Sequence, residues 1–579
     1  MSTLAASAAG VSVETRSLAA TEATELALAK LTSDGVPSAL AAKETGLWGP
    51  SVQELAATRL GWLDAPAVSR PLLAELADLA ARAREDGLDH IVLAGMGGSS
   101  LAPEVITRTA GVPLTVLDTT DPHQVAAVLQ DRLDRTLLVV SSKSGSTIET
   151  DSHRRIYEHA LRDLGLGPEE LARRFVVVTD PGSPLEETAR KEGYHVVLAD
   201  LNVGGRYSAL TAFGLVPSAL AGADVGALLD QAEAVAPALS HDDGNPGLLL
   251  GAALGGFAVA GHDKAIIADH GSGITGFGDW AEQLLAESTG KQGLGILPVV
   301  VESAGARGFS PGPDAHLIAL GPAGSGGSTP GQTQRPADTV VAGPLGAQFL
   351  VWEYATALAG LLIGINPFDQ PNVAESKDNT ARLLEQAGDR PLPVGEPVFT
   401  DGMVEVHADP SQLRGAADLA GVLDALIWSL PEAGYLAVMA YLDRAGDRDA
   451  ARLRSALAAR TTHPVTFGWG PRFLHSTGQY HKGGPQTGVF LQITGAIERD
   501  VQVPGAPYSL GRLQLAQALG DLGALRGRGR PAVRLHLRNR AAGLQQLLSA
   551  ASAGARTSGA TTSGATASGA GRVTAGGTG

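Results

Sequence analysis

The chain has 579 residues, 44% hydrophobic and 18% charged, with 74 glycines and no cysteine. That length exceeds what one hydrophobic core supports, and the missing thiols exclude disulfides, thiolate catalysis and cysteine-bound zinc or iron–sulfur centres. A formal charge of −16 and a pI near 5.3 argue against nucleic acid and anionic membrane as partners, because the global field repels phosphate polymers. Residues 1–88 carry apolar positions three and four apart, over 21–31 and 71–84, which predicts a helical N-terminal lead-in. Residues 1–15 have no basic patch ahead of an apolar run, so no secretory signal is expected. From residue 90 short apolar runs at 90–94, 114–117, 136–140, 175–179 and 195–198 alternate with helical segments. This predicts a doubly wound parallel sheet over 89–223, closed by a helix over 208–220. A second α/β unit is expected over 224–388, with strands at 264–268, 297–301 and 316–320 and helices at 279–289 and 345–362. The apolar stretch 247–261 falls short of the ~20 residues a spanning helix needs and reads as a buried helix. The Gly/Ser/Thr/Pro-rich stretch 321–335 reads as a mobile loop. A third α/β unit over 394–548 shows strands at 435–441, 465–468, 488–493 and 532–537, and 550–579, almost all Ala, Ser, Thr and Gly, is expected to be a disordered tail.

The run Ser141, Ser142, Lys143, Ser144, Gly145, Ser146, Thr147 follows the third strand and precedes a helix. Hydroxyls and free amides at a helix N-terminus, reached through a glycine turn, suit a phosphate monoester, and Lys143 adds charge. The alternative is an ordinary capped helix start. The first strand ends in Gly95, Met96, Gly97, Gly98, Ser99, Ser100. It reads either as a dinucleotide turn, with Asp118 in place of the ribose-binding acid, or with Gly98 and Ser99 as a second edge of the phosphate pocket. Arg206, on the Gly204–Gly205 turn, is either a cation set against a developing enediolate or a surface arginine. Gln283 and Glu287 lie one turn apart on the helix 279–289, where a carboxylate can shuttle a proton between adjacent carbons or simply face solvent.

Together these segments resemble the glucose-6-phosphate isomerase family, in the bacterial variety related to transaldolase fusions, over about residues 89–377. Ser142, Ser144, Gly145 and Thr147 resemble its S-x-S-G-x-T motif, Gly204–Ser208 its first signature, and Gln283, Glu287, Ser288, Gly290 and Lys291 its Q-x-x-x-E-S-x-G-K segment. Residues 365–377 resemble its second signature, with the acid displaced to Glu375. The resemblance implies two sugar-isomerase domains, a phosphate held by Gly98, Ser99 and residues 142–147 (Ser142, Lys143, Ser144, Gly145, Ser146, Thr147), Glu287 as base and Arg206 as enediolate stabiliser. The family also uses a histidine from a neighbouring subunit, and a late lysine, to open the sugar ring. No matching segment stands between Glu287 and Ile365; the run 476–482 of the third unit is the nearest likeness, making His481 the expected ring-opening group and Lys482 a lesser one.

The expectation is therefore a cytoplasmic α/β enzyme, a homodimer without metal or other cofactor, interconverting glucose 6-phosphate and fructose 6-phosphate by proton transfer through a cis-enediol. Its ligand is a small sugar phosphate, with neither nucleic acid nor membrane as a partner. Alternatives are a mannose or amino-sugar phosphate isomerase, a non-catalytic sugar-phosphate sensor, and a nicotinamide-dependent oxidoreductase using the Gly95 turn.

Overall fold

Side chains at positions 11, 13 and 15 are fully buried while their neighbours are not, and that period of two makes the start of the chain strand, not helix. The computed structural model describes residues 3–322 and 335–553. In it β1 (Leu4–Ala8) and β2 (Val11–Thr15) form an antiparallel hairpin, correcting the helical reading of the first fifteen residues. Helices run from Leu18–Ser33 to Leu72–Glu85 beyond it.

The first sheet holds β3 (His90–Gly95), β4 (Thr115–Leu117), β5 (Thr136–Ser141), β6 (Phe175–Thr179) and β7 (His195–Leu198), all parallel, in the order β4-β3-β5-β6-β7. β3, β5 and β6 are buried at every position, the signature of strands covered by helices on both faces. The chain leaves β3 for one side and returns on the other, so β3 and β5 flank a switch point, where open α/β sheets bind ligands at the strands' C-terminal ends. The 97–99 and 142–147 loops lie there.

The second sheet repeats this layout with β8 (Lys264–Asp269), β9 (Leu297–Val301), β10 (Ala315–Leu320) and β11 (Thr339–Ala342), in the order β1-β2-β11-β10-β8-β9. β2 pairs antiparallel with β11, so the first residues of the chain complete this sheet. The switch point falls between β8 and β10, and the helix Phe277–Thr289 leaves β8 beside it. The apolar segment expected as a buried helix is Pro246–Val259, packed against Leu345–Ile363. A Cβ on Gly251 would lie 2.8 Å from that of Leu358, so glycine sets how closely the two helices approach. Leu345–Ile363 is long and apolar enough to cross a membrane, but Phe349, Trp352 and Tyr354 on it are core residues.

The third sheet contains β12 (Phe399–Asp401), β13 (Val404–His407), β14 (Tyr435–Tyr441), β15 (Val465–Trp469), β16 (Gly488–Gly495) and β17 (Ala532–Leu537), ordered β12-β13-β17-β16-β14-β15. The short hairpin β12–β13 has no extended apolar run and was not expected. The last helix is Arg540–Ala553. Residues 550–553, expected in the tail, are therefore helical, with Ala551 fully buried beside Leu547. The tail beyond 553 and most of the expected 321–335 loop lie outside the described residues.

Candidate active site

The loop after β5 folds on its own hydroxyls. Ser142 Oγ donates to Thr147 Oγ1 at 3.0 Å, the Ser144 and Ser146 hydroxyls are 3.0 Å apart, and the Ser146 amide donates to Ser144 Oγ at 3.3 Å. Gly145 sits at φ +67°, and a Cβ there would come 2.8 Å from the Leu185 amide nitrogen, so both conformation and space demand glycine. Thr147 precedes the helix Ile148–Asp163 without a side-chain cap, leaving the first-turn amides to face an anion. Lys143 departs from expectation: its ammonium pairs with Asp180 at 2.7 Å, so its charge is already matched and not free for a phosphate.

The opposite edge is the turn Gly97–Ser99. A Cβ on Gly98 would lie 2.0 Å from the Gly205 carbonyl oxygen; the turn that carries Arg206 therefore rests directly on Gly98. Ser99 is buried. Asp118, the acid a dinucleotide would need, is buried and accepts from Arg472 at 2.6 Å and from Ser100 at 3.4 Å. Asp118 is therefore not free for a ribose.

Arg206 is a buried cation and not a surface residue, 3% exposed. Its guanidinium donates to Ser288 Oγ (2.8 Å), to the carbonyls of Pro367 (2.8 Å) and Asp369 (2.9 Å) and to Gln370, and Nη1 lies 3.5 Å from Glu287 Oε2. Gln283 and Glu287 are both buried, and Gln283 Nε2 is 3.4 Å from the carboxylate. Burial pushes the Glu287 carboxyl above its ordinary range, and Arg206, His475, Gln283 and Lys291 pull it partly back. Lys291 donates to the Asn366 and Asp369 carbonyls (2.7 and 2.6 Å) and to Asp369 Oδ1 at 2.7 Å. Its burial, with Arg206 adding to the effect, brings the ammonium down to about 8. The segment resembling the second signature thus works through backbone carbonyls that clamp Arg206 and Lys291.

The third unit does not bring the expected histidine here. His481 is 2% exposed, its ring set among Tyr435, Phe473 and Phe490 at 6.1, 6.0 and 5.2 Å, and neither ring nitrogen has a hydrogen-bond partner. The charges that act on it are Lys482 and Arg530, neither of them in the site. Lys482 is consumed as well: its ammonium pairs with Asp521 at 2.7 Å, both side chains 1% exposed. The histidine that does arrive is His475, six residues earlier. Its Nε2 is 3.1 Å from Glu149 Oε1, and its carbonyl accepts from Gln283 Nε2 at 2.9 Å. Glu149 also accepts from Gln517 at 2.7 Å. Burial drives this carboxyl upward, but His475, the local backbone and Lys377 outweigh it and hold it below the usual range. Glu149 lies in the first turn of the helix that follows the serine-rich loop and Lys377 ends the 365–377 segment, so both stand in or next to motifs already singled out. Only the role was unread.

A family model for phosphoglucose isomerase matches residues 82–294. The chain is 29% identical over 395 residues to a glucose-6-phosphate isomerase of Symbiobacterium thermophilum, an alignment spanning 57% of this chain and 87% of the relative. It is 35% identical over 216 residues to one from Acaryochloris marina, covering 35% and 40% of the two chains. Among solved structures, a hypothetical protein from Thermus thermophilus superposes with a TM-score of 0.52 at 25% identity, over 63% of this chain and 98% of its own. A glucose-6-phosphate isomerase from Chlamydia trachomatis shares the fold with a TM-score of 0.51 at 18% identity, over 67% and 90%.

Proposed function

Because the chain belongs to the phosphoglucose isomerase family, we infer that it interconverts glucose 6-phosphate and fructose 6-phosphate, as a cytoplasmic aldose–ketose isomerase. The observation that carries this reading is the pairing of buried Glu287 with buried Arg206, 3.5 Å apart, in a fold that also holds a hydroxyl-rich loop leading into a helix start without a side-chain cap. The phosphate is held by Ser142, Ser144, Ser146, Thr147 and the first-turn amides, with Gly98 and Ser99 forming the opposite edge. His475, backed by Glu149, takes the proton from the anomeric hydroxyl and returns one to the ring oxygen as the C1–O5 bond breaks. Glu287 then removes the C2 proton and redelivers it to C1, while Arg206 offsets the enediolate charge. Lys377, whose charge reaches Glu149, takes the place expected for Lys482 as the lysine of the site.

A sugar-phosphate sensor needs no buried base beside an arginine, and the engaged Asp118 removes the acid on which the nicotinamide reading depended. A mannose or amino-sugar phosphate isomerase uses the same groups, and competition between substrates separates it from this reading. The expected homodimer remains part of the proposal, but His475 belongs to the same chain as Glu149 and Glu287, so the histidine need not come from a second copy. The division into 1–88, 89–223, 224–388 and 394–548 is retained with two changes, that 4–15 joins the second unit and that the last helix carries the third to 553. A coupled assay is expected to show fructose 6-phosphate turnover in EDTA. Turnover lost with EDTA and restored by a divalent ion overturns the mechanism.

A further inference from the structure

The turn that carries His475 is anchored by a charge cluster outside the reacting groups. Arg472 opens the 3₁₀ turn Arg472–His475, and its guanidinium is buried against the first unit. Nη1 lies 2.6 Å from Asp118 Oδ2 and 2.7 Å from Glu104 Oε2, and Nη2 is 3.6 Å from Asp279, a half-exposed acid on the helix that bears Glu287. Arg444 adds a second guanidinium on Glu104, so two cations of the third unit face two carboxylates of the first. The acids come from places that frame the site. Asp118 follows β4, and Glu104 lies on the helix Leu101–Ala110 entered from the Gly97–Ser99 turn. One residue past His475, Ser476 Oγ is 3.4 Å from the half-buried Glu282 carboxyl.

Resting on the isomerase reading above, we propose that Arg472 is a positioning residue for ring opening, its ion pairs with Asp118 and Glu104 holding His475 in register with Glu149. The geometry separates this from general adhesion between units. Other ties across the same face use different elements: Gln517 to Glu149 (2.7 Å) and to Thr120 (2.7 Å), Gln514 to Asp121 (3.1 Å) and Arg540 to Asp121 (2.8 Å). Removing Arg472 leaves those in place and loosens the start of the turn that bears the imidazole, which Gln283 then holds by the His475 carbonyl alone on the backbone side. A bifurcated guanidinium also fixes direction as well as distance, which a lysine would not.

Ring opening is isolated by measuring α/β anomer exchange of glucose 6-phosphate by NMR magnetisation transfer in a Glu287→Gln background, where isomerisation is stopped. Arg472→Met is expected to lower enzyme-catalysed exchange about 10- to 100-fold, the loss typical of an ångström-scale misplacement. Sugar-phosphate affinity should stay within about threefold, since the 142–147 loop is untouched. Added to His475→Ala, Arg472→Met should cause no further loss, because the two act as one unit. Arg444→Met, which loosens the same Glu104 but lies outside the turn, should keep exchange within about twofold of the parent. A folded Arg472→Met with undiminished exchange, or an equal loss in Arg444→Met, overturns the proposal. Should Arg472→Met not fold, isosteric Asp118→Asn is read instead, with a loss in the same direction expected and no loss overturning it. If the Glu287→Gln parent itself shows no catalysed exchange, the ring-opening reading fails first and takes this proposal with it.

Discussion

Replacing His481 by Phe is expected to leave turnover intact and to stabilise the protein most in mild acid, while His475→Ala slows turnover of the cyclic sugar. The ring of His481 is enclosed by three aromatic rings with both nitrogens unpartnered. A buried polar atom without a partner costs about 1–3 kcal/mol, and Phe removes both. Its extra volume costs about 1–3 kcal/mol in a packed core, so near neutrality the two effects largely cancel. Acid breaks the balance. Burial, with Lys482 and Arg530 adding to it, lowers the proton affinity of His481 well below the ordinary value. The folded chain therefore keeps this ring neutral while the unfolded chain protonates it near pH 6.5. Below that pH the unfolded state binds more protons, and stability is lost at about 1.4 kcal/mol per pH unit for this one group. Urea unfolding at pH 7.0 and 5.5 measures it: the wild type should lose about 1.2 kcal/mol more than His481→Phe between the two. Turnover of fructose 6-phosphate is then compared at pH 7. A folded His481→Phe that has lost turnover a hundredfold, beside an active His475→Ala, would refute the assignment.

Glu287→Gln should lower isomerisation by about 10²- to 10⁴-fold, as loss of a general base does, with sugar-phosphate affinity changed only a few fold; persistence of C2 deuterium exchange at the wild-type rate would place the base elsewhere. Glu353, buried at the centre of the helix Leu345–Ile363, has its carboxyl pushed well above the usual range by burial, opposed in part by the Ala209 amide. The native chain keeps that proton after the unfolded chain has released it, so above about pH 4.3 stability falls by about 1.4 kcal/mol per unit until the folded group titrates. Glu353→Gln should therefore gain stability at pH 7 relative to pH 5, and equal midpoints for both proteins across that window would contradict it. Truncation after Ala553 should leave the melting temperature unchanged. Truncation after Ser549 removes buried Ala551 and the Ala550 carbonyl that accepts from Arg460 at 3.2 Å, and should cost about 1 kcal/mol, read as a lower urea midpoint.

What the sequence disclosed follows from where its information is local. Strands β3, β5 and β6 are covered on both faces and appear as unbroken apolar runs. The hydroxyl loop, Arg206 and the Gln283–Glu287 pair each lie within one short segment, so they could be singled out locally, while the roles of Arg206 and Glu287 came from the family resemblance and not from spacing. The β1–β2 hairpin escaped because Ala and Ser alternate too weakly to register, although Val11 and Val13 are fully buried. Lys143 was read as a phosphate cation because Asp180, its partner, stands 37 positions later on another loop.

The histidine shows the same limit more sharply. His475 and His481 share one Gly-rich stretch, and nothing local distinguishes them; the likeness to a family segment favoured the later one. Their fates are decided by partners hundreds of residues away. Glu149 lies 326 positions before His475, and Asp118 lies 354 before Arg472. The helix Gly478–Gly483 packs directly on Gly290, where a Cβ would come 2.5 Å from Tyr480 Cα, and its His481 faces Phe490. With that helix pressed against the end of the one bearing Glu287, the segment before it faces Glu149 and Gln283. His475 is consequently delivered by the packing of Tyr480 on Gly290 and by the Arg472 ion pairs together, long-range terms that no reading of spacing within 472–482 contains.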